Sequence, residues 1–197
     1  MNLVFSSNNN HKINEIQDLL GTLHTIASLE EIGCFEDIPE PHDTLEKNAS
    51  EKSFYIFNKY GLNCFSDDTG LEIDGLNGAP GVHSARYAGN QRDSLDNINK
   101  VLKEMALVRD RTARFRTVIS LVINGVEKQF TGILEGEILT ELKGTHGFGY
   151  DPVFRPKGFS CSLAEMNSEE KNAISHRGRA ILQLVDHLLL TSSKNSI

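Results

Sequence analysis

Two long strand-like runs joined by only two residues limit most strongly how this chain can fold. Positions 113–123 alternate through Phe115, Thr117 or Val118, Leu121 and Ile123, positions 126–139 return, and Asn124-Gly125 alone separates them. Asn-Gly readily adopts the left-handed conformations that a tight hairpin turn requires. The spacing therefore predicts an antiparallel hairpin, and strands of this length tend to curve.

The flanking segments set the fold class. Residues 3–6 read as a first strand and 23–27 as a second. Between them, Ile13, Ile16, Leu19 and Leu20 are spaced for one face of a helix over 12–20 that Gly21 stops. A long helix is expected over 44–60, with Asp43 and Glu46 as a capping box and Gly61 at its end. A strand ends at Phe65 and resumes at 71–73. Leu95, Ile98, Leu102 and Met105 mark a helix over 93–107, and Asn167 with Glu170 caps a short one. A final helix over 175–190 carries Ile181, Leu184, Val185 and Leu188. Early strands alternate with helices and a hairpin lies in the middle, so the expected class is α/β with a mixed, curved sheet rather than a doubly wound one. Helices on either side suggest a single domain over 1–197 with two lobes, and a central cleft is the default ligand site.

Composition excludes several functions. The net charge is −7, which disfavours nucleic acid and anionic membranes as partners. An anionic substrate therefore needs a local cationic site, a metal, or both. No apolar stretch approaches a membrane span, and the N-terminal apolar run is too short for a signal peptide. Three cysteines, an odd number without CxxC spacing, point to a reducing compartment, and so to the cytoplasm.

Four stretches carry candidate chemistry. Ser6 to Lys12, including Ser7, Asn8, Asn9, Asn10 and His11, fills the turn into the first helix. A helix N-terminus offers unpaired N–H groups to a phosphate, and Lys12 adds a point charge. Read alone, the stretch is equally a solvated turn with an Asn cap. Asp67 and Asp68, with Glu40, supply the oxygen ligands that Mg²⁺ prefers. Neighbouring acids on a strand point to opposite faces, so one can ligate while the other is buried behind it. Gly147 to Pro152 combines glycines that let a backbone approach a ligand with Phe148 or Tyr150 as a stacking face and Asp151 as an acceptor. Lys171, His176 and Arg177 are donors suited to a carbonyl oxygen on a base. Lys52, on the long helix, reads as solvated when judged by itself.

Taken in order, SxNxxKxxE (Ser7, Asn9, Lys12, Glu15), SDDTGLEIDGLNGAPGVHSARYAG, GTHGFGYDPVF and EKNAISHRGRA cover nearly the whole chain. They resemble the inosine/xanthosine triphosphate pyrophosphatase family. The resemblance implies a mixed α/β fold with an elongated sheet, two lobes and a cleft, a homodimer, and Mg²⁺-dependent hydrolysis of ITP, dITP and XTP to the monophosphate and pyrophosphate. By that resemblance Ser7 through Lys12 would hold the triphosphate, and Lys52 and Thr69 would touch phosphate. Glu40 and Asp68 would bind Mg²⁺ with Asp67 nearby, and Asp68 would be the general base. Phe148, Gly149, Tyr150, Asp151, Lys171, His176 and Arg177 would surround base and sugar. His146 and Lys47 depart from the family's usual glycine and carboxylate.

The residues fit that chemistry. Cleaving a phosphoanhydride needs charge neutralisation and an aligned water. A 6-keto purine presents an acceptor where adenine presents a donor, so buried donors reward the keto base. Two alternatives remain at this stage: a pyrophosphatase for other modified or ordinary nucleotides, and a nucleotide sensor that does not hydrolyse.

Overall fold

The computed structural model describes residues 3–20 and 26–194. In chain order these form β1 (Leu3–Phe5), α1 (Asn10–Leu20), β2 (Ile26–Ala27), α2 (Leu45–Tyr60), β3 (Cys64–Ile73) and β4 (Pro80–Gly81). Then follow α3 (Ser94–Glu104), β5 (Thr112–Ile123), β6 (Val126–Ile138), β7 (Phe154–Pro156), α4 (Ser168–Ile174) and α5 (His176–Lys194). The strands form one seven-stranded sheet in the order β2-β1-β3-β5-β6-β7, with β4 also paired to β3. β1 runs parallel to β2 and β3, whereas β3–β4 and β6–β7 are antiparallel. The sheet is thus mixed and, among the described residues, five α-helices flank it. The predicted hairpin is β5–β6, with positive φ at both Asn124 (52°) and Gly125 (81°).

The chain divides into two compact units. Unit 1 holds Met1–Asp68, Thr117–Gly132 and Arg177–Ile197, and unit 2 holds Thr69–Arg116 and Ile133–His176. β3, β5 and β6 each contribute residues to both.

In unit 1 both faces of the sheet are covered. Leu3, Phe5, Phe65, Ile119 and Leu121 pack with Ile181, Leu184 and Leu188 of α5. Val4, Cys64 and Val122, one residue out of step, pack with Ile56 of α2 and with Leu29 and Cys34. This is the period-two alternation of a strand serving two buried layers. In unit 2 one face packs: Leu71, Ile73, Ala113, Phe115, Leu134 and Ile138 meet Ile98, Val101 and Met105 at α3. The other face is charged, with Arg114 and Arg116 of β5 paired to Glu72 of β3 at 3.0 and 2.9 Å. β5 records the change directly. It alternates over 112–116 and is buried at every position over 117–122.

Several expectations are corrected. The acidic pair does not sit at a strand end beside a loop: β3 continues through Ser66, Asp67, Asp68, Thr69 and Gly70 without a break. Its polar middle is stable because the side chains are satisfied, Ser66 Oγ by donating to the Ala49 carbonyl at 2.5 Å and the aspartates by cations described below. The cap of α2 is Thr44, whose side chain accepts from Lys47 N at 3.3 Å, rather than Asp43 with Glu46. Gly61 does end that helix, with φ 67°. Leu95 lies off the buried stripe of α3 and is 54% exposed, while Val101 takes its place. The capping box at Asn167 and Glu170 forms as expected. Of the second predicted strand, Ile26–Ala27 is β2, whereas positions 23–25 and Gly21 lie outside the described residues, as do the side chains of Leu19 and Leu20.

The capping assignment is testable. Thr44→Ala should destabilise the protein by about 1 kcal/mol, as loss of a side-chain cap does. Asp43→Ala should cost clearly less, and equal costs in urea unfolding would refute the assignment.

Candidate active site

Unit 1 gathers seven charged side chains from five segments. α1 supplies Lys12 and Glu15, the segment before α2 supplies Glu40, α2 supplies Lys52, β3 supplies Asp67 and Asp68, and α5 supplies Arg177. The entry to α1 explains how Lys12 is aimed. Asn9 Oδ1 accepts from Lys12 N at 3.2 Å, and Ser7 Oγ accepts from Asn9 N at 3.2 Å. Asn9 is therefore the N-cap. Asn8, Asn9 and His11 are exposed, Ser7 is half-buried, and Asn10 is the first helical residue, its side chain outside the described set.

Asp67 is the hub of one half of the cluster. It lies 3.0 Å from Lys12 Nζ and 3.4 Å from Arg177 Nε, and its side chain is fully buried. Arg177 also donates to Glu15. Burial works to raise the Asp67 pKa, but Lys12, Arg177 and Lys52 outweigh it and hold the carboxyl well below the usual carboxylate range. Burial lowers the Lys12 pKa, with Asp67 opposing. Asp67, expected from sequence to stand near a metal, is thus an ionised anchor that orients two cations.

Asp68 is placed differently. Its Oδ1 lies 3.5 Å from Lys52 Nζ, which also donates to Glu40 Oε1 at 2.5 Å. Burial raises the Asp68 pKa, with Glu40 and Asp67 adding to the rise and Lys52 and Lys12 opposing it. Burial also works against the charge of Lys52, but Asp68, Glu40 and Asp67 outweigh it and raise the pKa. The two adjacent aspartates therefore shift in opposite directions, Asp67 below and Asp68 above the ordinary carboxylate value. Lys52, which judged alone could as well be solvated and which the resemblance assigns to phosphate, is buried on the inner face of α2 with Leu45, Asn48, Ala49, Ser53 and Ile56. Three polar residues on the inward stripe of a helix were a signal that this face serves more than packing.

Unit 2 holds the second group. Asp151 Oδ2 accepts from Lys171 Nζ at 2.9 Å and from Phe148 N at 2.8 Å. The Lys171 ammonium lies 4.8 Å from the centre of the Phe148 ring. Gly147 makes this turn possible: its φ is +76°, and a Cβ there would lie 2.1 Å from Asp151 Oδ2. Gly149, with φ +61°, has open space where a Cβ would be. His176 stacks on Phe115, with centroids 4.7 Å apart and planes 14° apart. Tyr150 does not offer a stacking face. It is 5% exposed within the unit 2 core, and its hydroxyl donates to the Ser84 carbonyl at 2.9 Å. Phe148, half-buried, is the aromatic ring of that loop with a face to present. Thr69 is half-buried and follows Asp68 directly in the chain, as Arg177 follows His176.

Sequence reading missed Asn48, Phe115 and the part played by Glu15. Glu15 stands in the first motif, but its partner Arg177 is 162 positions away. Cysteine chemistry has no place here: burial pushes the Cys64 thiol up to about 12, and it donates to the Ser53 carbonyl.

Fold and site together define a mixed α/β protein with buried carboxylates interleaved with lysine and arginine. A protein of Flavobacterium johnsoniae named dITP/XTP pyrophosphatase is 55% identical over 194 residues, covering 98% of this chain and all of its own. One of the same name from Porphyromonas gingivalis is 51% identical, covering 95% and 97%. The solved Ham1 protein structures from Staphylococcus aureus and Coxiella burnetii superpose with TM-scores of 0.88 and 0.89, at 36% and 39% identity. They cover 95% and 96% of this chain and 98% of their own. The Ham1 family model matches residues 3–187, and the chain belongs to that family.

The two aspartates should respond differently to neutralisation in chelator-treated protein. The folded pKa of Asp67 lies below its unfolded value, so its contribution is complete above about pH 4 and is lost as pH falls further. Asp67→Asn leaves Lys12 and Arg177 facing a neutral group and should cost about 3–5 kcal/mol. The folded pKa of Asp68 lies above its unfolded value, so its ionisation at neutral pH opposes folding. Asp68→Asn, with Lys52 still paired to Glu40, should melt at or above the wild-type temperature. Equal losses for both variants in thermal unfolding at pH 7 would refute the distinction.

Proposed function

We propose that this chain is a nucleoside triphosphate pyrophosphatase that converts ITP, dITP and XTP to the monophosphate and pyrophosphate, and so clears them from the nucleotide pool. The observation that carries the reading is a buried Asp68 that shares the Lys52 ammonium with Glu40. It occurs in a chain aligned over 98% of its length with a protein named dITP/XTP pyrophosphatase.

The phosphate-binding role falls to unit 1. The capped N-terminus of α1, with Ser7 through His11, offers N–H groups to phosphate oxygens. Lys12, aimed by Asp67, and Lys52 add positive charge, and Thr69, the first residue of unit 2 and next in the chain to Asp68, would add a hydroxyl donor. Asp68 takes the proton of the attacking water. Water adding at the α-phosphorus releases pyrophosphate and leaves the monophosphate. The proton moves to Asp68, and the leaving pyrophosphate carries the electron pair of the broken P–O bond.

Magnesium belongs to this reading, and the donors suit it. Glu40 and Asp68 both approach one positive centre, Lys52 Nζ, at 2.5 and 3.5 Å. Magnesium typically takes one or two carboxylates and completes its shell with phosphate and water. Bound by Glu40 and Asp68, with Asp67 behind them, the ion would supply charge neutralisation on the phosphate oxygens.

The base-reading role falls to unit 2, where Phe148 offers a stacking face and Gly149 a close backbone approach. Lys171 and His176 supply donors that favour a 6-keto oxygen and oppose an amino group, and the resemblance adds Arg177, the next residue in the chain, to that set. Asp151 holds Lys171 and the Phe148 backbone in register. The reading includes a homodimer and a cytoplasmic setting, and three free cysteines suit the latter. No helix of the described residues is long and apolar enough to cross a membrane.

A nucleotide panel tests this directly. Pyrophosphate release should be fast with dITP, ITP and XTP, slow with ATP, GTP, UTP and dTTP, and abolished by chelator. Equal turnover across the panel would favour a general nucleotide pyrophosphatase, and no release from any nucleotide would favour a sensor. Asp68→Asn should lower kcat by about 10²–10⁴-fold, the range of a lost general base, and near wild-type turnover would overturn its role. In ¹⁸O-labelled water the label should enter the monophosphate, and label in pyrophosphate would move the attack to the β-phosphorus.

A further inference from the structure

Glu40 lies in a stretch with no helix or strand of its own. From Ser28 to Thr44, between β2 and α2, the chain forms only turns and irregular backbone. A carboxylate that must face one atom from such a segment needs something else to fix it. The structure shows two fixings, one on each side. Ile38 packs into the unit 1 cluster of Val4, Leu29 and Ile56. Two residues beyond Glu40, His42 is held by the side chain of Asn48. His42 N donates to Asn48 Oδ1 at 2.9 Å, and Asn48 Nδ2 donates to the His42 carbonyl at 3.1 Å. One amide thus satisfies both backbone groups of one loop residue, and it does so while only 1% exposed.

The residues in between make that grip effective at Glu40. The sequence is Ile38-Pro39-Glu40-Pro41-His42. Each proline fixes its own φ and steers the residue before it away from helical angles. Few soft dihedrals remain between the clamped His42 and the Glu40 carboxylate. The same helix completes the arrangement. Asn48 and Lys52 are one turn apart on the inner face of α2, so the amide that holds the segment and the ammonium that meets Glu40 Oε1 are neighbours on one rigid element. The Ala49 carbonyl, between them, accepts from Ser66 Oγ and ties that turn of the helix to β3 next to Asp67 and Asp68.

We infer that Asn48 is a positioning residue for divalent-cation binding: by gripping the backbone of His42 it holds Glu40 toward Asp68. The inference rests on the proposed role of Glu40 and Asp68 as magnesium ligands. It differs from a packing role because the amide acts through one side chain, that of Glu40. Partners that orient metal ligands typically affect metal affinity by about 10–100-fold.

A double-mutant cycle tests this on the full chain. The variants are Asn48→Ala, Glu40→Gln and the pair. Two constants are measured for each: Mn²⁺ binding to metal-stripped protein, from the electron paramagnetic resonance signal of free ion, and the Mg²⁺ concentration giving half-maximal pyrophosphate release. Asn48→Ala should weaken both by about tenfold, with KM for dITP at saturating Mg²⁺ little changed. In the Glu40→Gln background the same substitution should add almost nothing, because its target is already lost. His42→Ala should leave both constants near wild type, since the clamp holds backbone. If Asn48→Ala does not fold, Asn48→Ser, too short to span both groups, takes its place in the cycle. Unchanged metal constants, fully additive losses in the pair, or an equal loss from His42→Ala would overturn the clamp. A Glu40→Gln variant that binds Mn²⁺ as well as wild type would instead overturn the ligand assignment itself.

Discussion

The arrangement of unit 1 depends on one buried carboxylate with two cations on it. Asp67 joins α1 through Lys12 and α5 through Arg177 to the middle of β3. A charge inside a protein is stable only when paired and hydrogen-bonded, so these three elements are mutually conditional. Removing the anion leaves Lys12 and Arg177, the latter still paired to Glu15, less compensated, and removing either cation does the same to the buried anion. Lys12 is held by an anion behind it, so its position is fixed, and such preorganisation is what an electrostatic site requires.

Asp68 shows what adjacency within a strand permits. The pleat sends neighbouring side chains to opposite faces, so two identical carboxylates one residue apart meet different surroundings. Asp67 faces Lys12 and Arg177. Asp68 faces Lys52, with Glu40 competing for the same ammonium. The first environment strongly favours the anion, and the second weakens that preference. Two carboxylates of opposite pKa shift can therefore stand in a single dipeptide, provided the strand is covered on both faces. In unit 1 it is, by α2 on one side and α5 on the other.

What could be read from sequence follows from the range of the interactions involved. The β5–β6 hairpin was legible because Asn124-Gly125 encodes its turn locally, and the Asn167–Glu170 box because it is local too. The unbroken β3 was not, because its stability depends on partners 55 and 110 positions away. From the sequence alone, Ser-Asp-Asp-Thr-Gly looks like the end of a strand. The family resemblance brought Lys12, Glu40, Lys52, Asp67, Asp68 and Arg177 into view as a set, yet the different surroundings of the two aspartates depend on which cations each one meets. Tyr150 misled for the opposite reason. An aromatic ring in a glycine loop suits stacking, but here the ring fills the core and its hydroxyl is held by the Ser84 carbonyl. Asn48 left no trace because a side chain gripping a backbone has no sequence signature beyond a polar residue on an apolar stripe.

The inner face of α2 carries Asn48, Lys52 and Ser53 where aliphatic residues would stabilise the fold more. Each is satisfied: Asn48 by His42, Lys52 by Glu40 and Asp68, and Ser53 by donating to Ser120 at 2.6 Å. Ser120 in turn donates to Glu127 at 2.7 Å. A polar seam of this kind contributes little net stability but permits very few alternative packings, because any shift of the helix leaves several groups unpaired at once. An aliphatic seam would tolerate sliding by a fraction of an ångström. The α2 face thus exchanges some stability for registration, and registration is what a carboxylate on an irregular segment, two residues from its clamp, requires to meet a cation at a fixed point.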